Sequence, residues 1–175
     1  MQNLEHFSLP FIGMKDGVHT YFFEAGDDFF KEFDHSPVEK GKFVIKVVFD
    51  KQFGVSEMDL HIEGVVKAVC DRCLADIDLP VKGSYHLYVK VGNEDAEEDE
   101  VIFVKEGTSS LYLGQILYEY INLSLPLNNI FDCDKATPRP CDDTVLKKLS
   151  SKDEEETYSN DIDIWSNLKG LIPEN

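Results

Sequence analysis

The sequence predicts an α+β fold, predominantly antiparallel β, with a curled or barrel-like sheet and two or three short helices. Three observations favour this class. Apolar and polar residues alternate with a period of two through much of the first 91 residues. The parity of this alternation reverses once, near residues 70–73, as it would across a hairpin turn. Farther along, apolar residues follow helical spacing between positions 113 and 121.

The first fifty residues predict three strands and one short helix. Residues 6–11, 18–23 and 42–50 are strand candidates, because they alternate or are dense in β-branched and aromatic residues. Residues 27–33 fit a helix that begins with two aspartates, which suit the positive end of a helix dipole. Its three phenylalanines would share one face.

The segment from Met58 to Val91 predicts a long hairpin. Its apolar residues lie at even positions before the turn and at odd positions after it. Pairing residues whose numbers sum to 143 puts all of them on one face. This pairing sets Cys70 opposite Cys73, Val66 opposite Ile77, and Ile62 opposite Val81.

The tip and the return strand of this hairpin are irregular. Asp71-Arg72 makes a poor two-residue type I′ turn, since both positions require positive φ. A knuckle-like turn, with or without a metal, fits the tip equally well. Pro80 and Gly83 predict an edge or a bend partway along the return strand.

The remaining chain divides into short elements and acidic loops. Residues 94–100 carry six acids and predict a solvated loop, followed by a strand at 101–104 and the helix at 113–121. An irregular loop at 128–142 precedes a weak helix at 144–149. We expect a β-rich domain over residues 1–149, a flexible acidic linker over 150–160, and a docking segment over 161–175 that contains Trp165.

The charge of the chain limits its partners. Thirty-four acidic and 17 basic residues give a formal charge of −17, which repels a phosphate backbone. We therefore expect no DNA binding, and we expect RNA contact only through a locally basic surface. No apolar run is long enough to span a membrane, and the first residues lack a signal-peptide pattern. A cytoplasmic protein without membrane contact is expected.

The four cysteines are the sharpest chemical signal. Cys70 and Cys73 have the two-residue spacing that lets one turn supply two zinc ligands. Cys133 and Cys141 would complete a structural zinc site, although seven residues separate them instead of two. Cysteines without metal, and a redox or disulfide role, remain open alternatives. A redox motif would be expected at a helix start, whereas the residues after Cys73 alternate as a strand.

The sequence contains no motif that indicates a class of enzyme. The chain lacks a phosphate-binding loop, a dinucleotide fingerprint, a nucleophile elbow and a zinc-protease helix, and its five histidines are scattered. Several lysines of the β-rich half fall on the predicted polar face, including Lys42 and Lys46 on one strand and Lys82 and Lys90 on another. Acids interspersed on the same strands favour an ordinary mixed surface.

Together with the acidic loop over residues 94–100, four segments resemble the YceD family. They are Phe7-Ser8-Leu9-Pro10-Phe11-Ile12-Gly13, Gly64-x5-Cys70-Asp71-Arg72-Cys73-Leu74, Leu117-x-Glu119-x-Ile121-x-Leu123-x-Leu125-Pro126, and the terminal Asp163-Ile164-Trp165-Ser166-Asn167-Leu168-Lys169-Gly170-Leu171. The terminal segment departs from the family pattern at Ile164 and Ser166.

The resemblance implies a non-enzymatic factor in large ribosomal subunit biogenesis that supports 23S rRNA accumulation. Its partner would be ribosomal RNA or a basic ribosomal or assembly protein, and the charge of the chain favours the protein. Two alternatives come from other classes. One is a small zinc-binding or thiol-redox protein that uses Cys70 and Cys73, and the other is an acidic interaction domain unrelated to ribosomes.

Overall fold

A computed structural model describes residues 4–92, 100–133 and 138–150 of the chain. In chain order its elements are β1 (Ser8–Pro10), β2 (Gly17–Ala25), α1 (Asp27–Phe30), β3 (Gly41–Lys51), β4 (Val55–Val69), β5 (Asp76–Val91), β6 (Val101–Val104), β7 (Ser110–Tyr112), α2 (Gly114–Leu123) and α3 (Asp143–Ser150). The predicted α+β class, with mainly antiparallel strands and three short helices, is confirmed.

The strands form one main sheet and one small one. The main sheet has the order β2-β3-β4-β5-β6, and β1 pairs with β7 in a separate antiparallel ribbon. β2 to β5 are a continuous antiparallel meander, whereas β6 runs parallel to the last four residues of β5. Within the described residues the main sheet does not close into a barrel. Of the two predicted shapes, a curled sheet and a barrel, the structure therefore has the open sheet.

The predicted hairpin is present, but its predicted register is wrong by two residues. Paired residues of β4 and β5 sum to 145, so that Val66 lies opposite Leu79 and Ile62 opposite Gly83. The connection uses the six residues from Cys70 to Ala75, closed by a hydrogen bond from the Cys70 N–H to the Ala75 carbonyl. Because the shift is even, each side chain keeps its predicted face.

Pro80 occupies the edge position that the sequence predicts. β6 pairs with β5 only at residues 88–91, so residues 76–87 of β5 have β4 on one side and, among the described residues, no strand on the other. A proline is tolerated there because the missing N–H removes no ladder hydrogen bond.

The core lies between the inner face of the main sheet and the elements packed across it. α2 contributes Leu117 and Ile121, which are fully buried, and the β1–β7 ribbon contributes Leu9 and Leu111. The sheet contributes its alternate side chains: Phe43, Ile45, Val47, Phe49, Met58, Leu60, Ile62, Val66, Ile77, Leu79, Val81, Leu87 and Val89. The amphipathic alternation of the sequence therefore places one apolar face under α2.

An aromatic cluster closes one side of this core. Phe29 contacts the rings of Phe7, Phe30 and Phe33, and Phe33 stacks on Tyr118 of α2 with centroids 3.8 Å apart. α1 ends at Phe30, earlier than predicted, and the chain passes through a positive φ at His35. The phenylalanines still point inward as the helical spacing predicts.

The carboxyl-terminal predictions are only partly covered. The helix predicted at 144–149 is confirmed by α3. The acidic loop at 94–100, apart from its last residue, and the linker and docking segment beyond residue 150 lie outside the described residues, so these domain boundaries stay predictions. No helix in the described part is both long and apolar enough to cross a membrane.

Candidate functional site

The tip of the β4–β5 hairpin holds two buried cysteines. Cys70 and Cys73 are both 0% exposed, although they lie in a turn. The Leu74 N–H donates to the Cys70 carbonyl at 2.8 Å, and Leu74 itself has a φ of 59°. This tight turn folds both thiols back under the tip and leaves the Leu74 side chain exposed.

The structure brings the other two cysteines to the same place. Cys133, just beyond α2, forms a disulfide with Cys141, and their Cα atoms are 5.9 Å apart. The sulfurs of Cys73, Cys133 and Cys141 all lie within 4.8 Å of one another. The Cys70 thiol interacts with the Cys73 side chain by a hydrogen bond. All four residues predicted as a zinc site thus converge, and zinc binding itself stays a prediction.

The surroundings of Cys70 favour a negatively charged sulfur. Burial raises the pKa of the Cys70 thiol, but backbone N–H groups of Phe131, Cys73 and Arg72, together with the Cys73 side chain, outweigh it. The net effect lowers the pKa of Cys70 from 9.0 to about 7. Both thiols are buried in a turn between two strands, as the alternation of the sequence after Cys73 predicts, and not at the start of a helix.

A backbone clasp joins the hairpin tip to the loop that carries Cys133. The Asp71 N–H donates to the Asn129 carbonyl at 2.9 Å, and the Asn129 N–H donates to Asp71 Oδ2 at 2.7 Å. The two segments are 58 positions apart in sequence. This reciprocal pair positions the loop over the tip.

Asp71→Ala should reduce the free energy of unfolding by about 1 kcal/mol, because it removes a charged acceptor from the Asn129 N–H. Urea denaturation of the purified protein measures this change. Asp76→Ala is the matched control, since Asp76 is also exposed and lies at the other end of the connection. Equal losses in the two variants would show that the clasp contributes nothing specific.

A second candidate region is the outer surface of the main sheet, called here the open face. It is formed by the side chains that alternate with the core: Val18, Thr20, Phe22, Glu24, Lys42, Val44, Lys46, Val48, Asp50, Val55, Glu57, Asp59, His61, Glu63, Val65, Lys67, Asp76, Asp78, Pro80, Lys82, Ser84, His86, Tyr88 and Lys90. All of these side chains are exposed or half-buried, so the described elements leave this face uncovered.

A shallow depression of about 590 Å³ lies near the middle of the open face. Phe22, Lys46, His61 and Ser84 cross it as one row of directly paired residues on four strands. Phe22 is 66% exposed, and the His61 ring contacts Ser84 Oγ at 3.1 Å. The row combines an aromatic surface, a cation and an imidazole on a rigid sheet.

Charges on the open face are largely paired across strands. Lys82 contacts Glu63 at 3.0 Å, and Lys67 pairs with Asp78. The His86 ring donates a hydrogen bond from Nδ1 to Asp59 Oδ1 at 2.7 Å, which raises the pKa of the ring. The predicted orientation of Lys42, Lys46 and Lys82 away from the core is confirmed. The surface is therefore mixed in charge, in contrast to the acidic excess of the whole chain.

Sequence reasoning missed the exposed Phe22. The residues 18–23 were identified as a strand, but the pairing of Phe22 with Lys46 depends on the β2–β3 register. The alternation along β2 could have predicted this exposure. Tyr21 and Phe23 are half-buried on one face of the strand, so Phe22 between them must lie on the opposite face.

The comparisons with known proteins give one family. A family model described as the large ribosomal RNA subunit accumulation protein YceD matches residues 58–172. The match begins in β4 and includes the cysteine tip, α2 and the loop after it. No curated protein and no solved structure matches the chain.

Proposed function

Because the chain belongs to the YceD family, we propose that it is a non-enzymatic cytoplasmic factor in large ribosomal subunit biogenesis. In this proposal it supports the synthesis, processing or stability of 23S rRNA by binding a partner. The family match over residues 58–172 is the observation that carries the proposal.

The character of the surface supports binding over catalysis. The depression on the open face is shallow, and its titratable groups include the Glu63–Lys82 ion pair on one side. Catalytic sites usually enclose substrate in a deeper, largely apolar cleft that excludes water. A broad, rigid sheet surface is suited to a macromolecular partner.

The favoured partner is a basic ribosomal or assembly protein. A formal charge of −17 attracts a basic protein at long range and repels RNA, although salt screens both effects beyond about 8 Å at physiological ionic strength. Exposed apolar side chains on the open face, such as Phe22 and Val44, would supply the contact area once the partner has arrived.

Direct RNA binding is a second candidate because of one specific observation. Phe22 and Lys46 are cross-strand neighbours in the depression. An exposed ring beside a cation is the combination that stacks an unpaired base and contacts its phosphate. The same combination also fits a protein partner, so the two candidates require an experiment.

Removing the protein from its host cell should lower mature 23S rRNA relative to 16S rRNA. Quantitative gel analysis of total RNA measures the ratio, and the gene restored in trans is the control. A normal ratio would contradict the proposed function and favour an acidic interaction domain unrelated to ribosomes. Recovery of ribosomal or assembly proteins with the tagged chain would identify the partner.

Lys46→Glu separates the two modes of binding. If the open face contacts RNA, the substitution should weaken retention of 23S rRNA roughly tenfold, because one attractive contact becomes repulsive. If it contacts a basic protein, capture of that protein should be unchanged or stronger. Lys105→Glu makes the same charge change in the exposed turn after β6 and is the matched control. Equal effects of the two variants on both readouts would exclude the open face.

A further inference from the structure

We infer that Cys70, Cys73, Cys133 and Cys141 together bind one zinc ion when the protein is reduced. The ion would join the β4–β5 connection to the loop after α2. This inference does not depend on the proposed ribosomal function, because it rests on the positions of the four residues.

Three of the four sulfurs already lie in one cluster, in which Cys133 and Cys141 are joined by their disulfide, and the fourth contacts Cys73. With zinc–sulfur bonds of about 2.3 Å, neighbouring sulfurs in a tetrathiolate site lie roughly 3.8 Å apart. The sulfurs of Cys73, Cys133 and Cys141 are within 4.8 Å of one another, and Cys70 contacts Cys73 through its side chain. Once the Cys133–Cys141 disulfide is reduced, rotation of the side chains would separate these two sulfurs and bring four thiolates around one ion.

The backbone around Cys70 has the character of a second coordination shell. Three N–H groups, from Arg72, Cys73 and Phe131, donate to its sulfur. One of these donors belongs to the loop that carries Cys133, so both segments already contribute to the same sulfur.

The loop after α2 packs on the core through Phe131 but leaves other apolar side chains exposed. Leu127 is fully exposed and Ile130 is 52% exposed, so the loop buries little apolar surface there. Its described attachments to the hairpin tip include the Asp71–Asn129 clasp, the contact of the Phe131 backbone with Cys70, and the cysteine cluster. A metal at this joint would contribute binding free energy directly to the folded state.

Zinc binding by all four residues requires the Cys133–Cys141 disulfide to be reduced. A dithiol reductant donates two electrons and two protons, forming two cysteine thiols and its own disulfide. Zinc then replaces the thiol protons of the four cysteines, which are released to solvent, and forms four zinc–sulfur bonds. The disulfide and the zinc site are thus two covalent states of one cluster.

The test uses the full chain, reduced with a phosphine that supplies no thiol ligands, and the metal ion alone as the probe. We expect about one zinc per chain after desalting, and with cobalt(II) in its place the intense visible absorption of a tetrahedral thiolate complex. Retention of no metal by reduced protein that is folded by circular dichroism would overturn the inference.

The variants assign the ligands. Cys73→Ser and the double variant Cys133→Ser/Cys141→Ser should each weaken zinc binding at least roughly 100-fold, since each removes ligands. Asp76→Ala changes an exposed residue just after the connection, keeps all four sulfurs and the groups around them, and should bind normally. Unchanged zinc affinity in the double variant would reject a four-cysteine site even if Cys70 and Cys73 bind metal. Wild-type measurements keep the test decisive if a variant fails to fold.

Discussion

Replacing Leu117 by alanine should lower the free energy of unfolding by about 3 kcal/mol. Leu117 is fully buried at the centre of the inner face of α2, so truncation removes apolar contacts and leaves a cavity. At roughly 2–4 °C per kcal/mol for a domain of this size, the melting temperature should fall by about 6–12 °C. Calorimetry or circular dichroism measures the shift.

Leu123→Ala is the control for this substitution. Leu123 is the last residue of the same helix and is 68% exposed, so its truncation changes helix propensity equally but removes no core packing. We expect its effect to stay within about 0.5 kcal/mol. Similar shifts in the two variants would mean that α2 does not cover the sheet as described.

The position of α2 also connects stability to the cysteine cluster. The loop that carries Asn129, Phe131 and Cys133 begins where α2 ends, so the docking of the helix sets where that loop meets the hairpin tip. We therefore expect Leu117→Ala to weaken the proposed zinc binding as well, whereas Asp76→Ala should leave zinc binding unchanged. A substitution in α2 is expected to affect zinc binding because α2 positions the loop that carries Cys133.

The sequence was sufficient to predict which face each strand residue occupies, because the alternation of apolar residues has the period of the pleat. It was insufficient for the β4–β5 register. Parity is unchanged by a shift of two residues, and only the turn distinguishes the sums 143 and 145. The six-residue connection with Leu74 at positive φ is set by tertiary contacts, including the Asp71–Asn129 clasp.

The sequence also does not predict which distant segments pair with one another. The sequence predicts β1 but not β7, and their pairing joins residues about a hundred positions apart. For the same reason, separation in the sequence, the approach of the four cysteines to one another cannot be predicted from the sequence. The spacing of Cys133 and Cys141 in the sequence differs from a second knuckle, and their approach to Cys73 is produced by the path of the chain after α2. Residue type identified the candidate ligands, and the fold supplied their proximity.

Gly64→Val should be among the most destabilising single substitutions in the sheet, with a loss of about 3 kcal/mol. Gly64 lies in β4 directly opposite Phe43, and a Cβ there would overlap both the Phe43 ring and the Lys42 carbonyl oxygen. The carbonyl belongs to the backbone of β3 and cannot rotate away. Urea denaturation measures the loss, and the slope of the transition reports whether the folded state stays compact.

Two further variants separate overlap from an effect of glycine itself. Gly92→Ala is the matched control, because a Cβ at Gly92 meets nothing within 4 Å, so it should be neutral or slightly stabilising. Gly64→Ala combined with Phe43→Leu should cost less than the sum of the two single changes, since a smaller side chain relieves one overlap. Recovery should be incomplete, because the Lys42 carbonyl remains. Strict additivity would place the Phe43 ring elsewhere and contradict the β3–β4 register on which the open face depends.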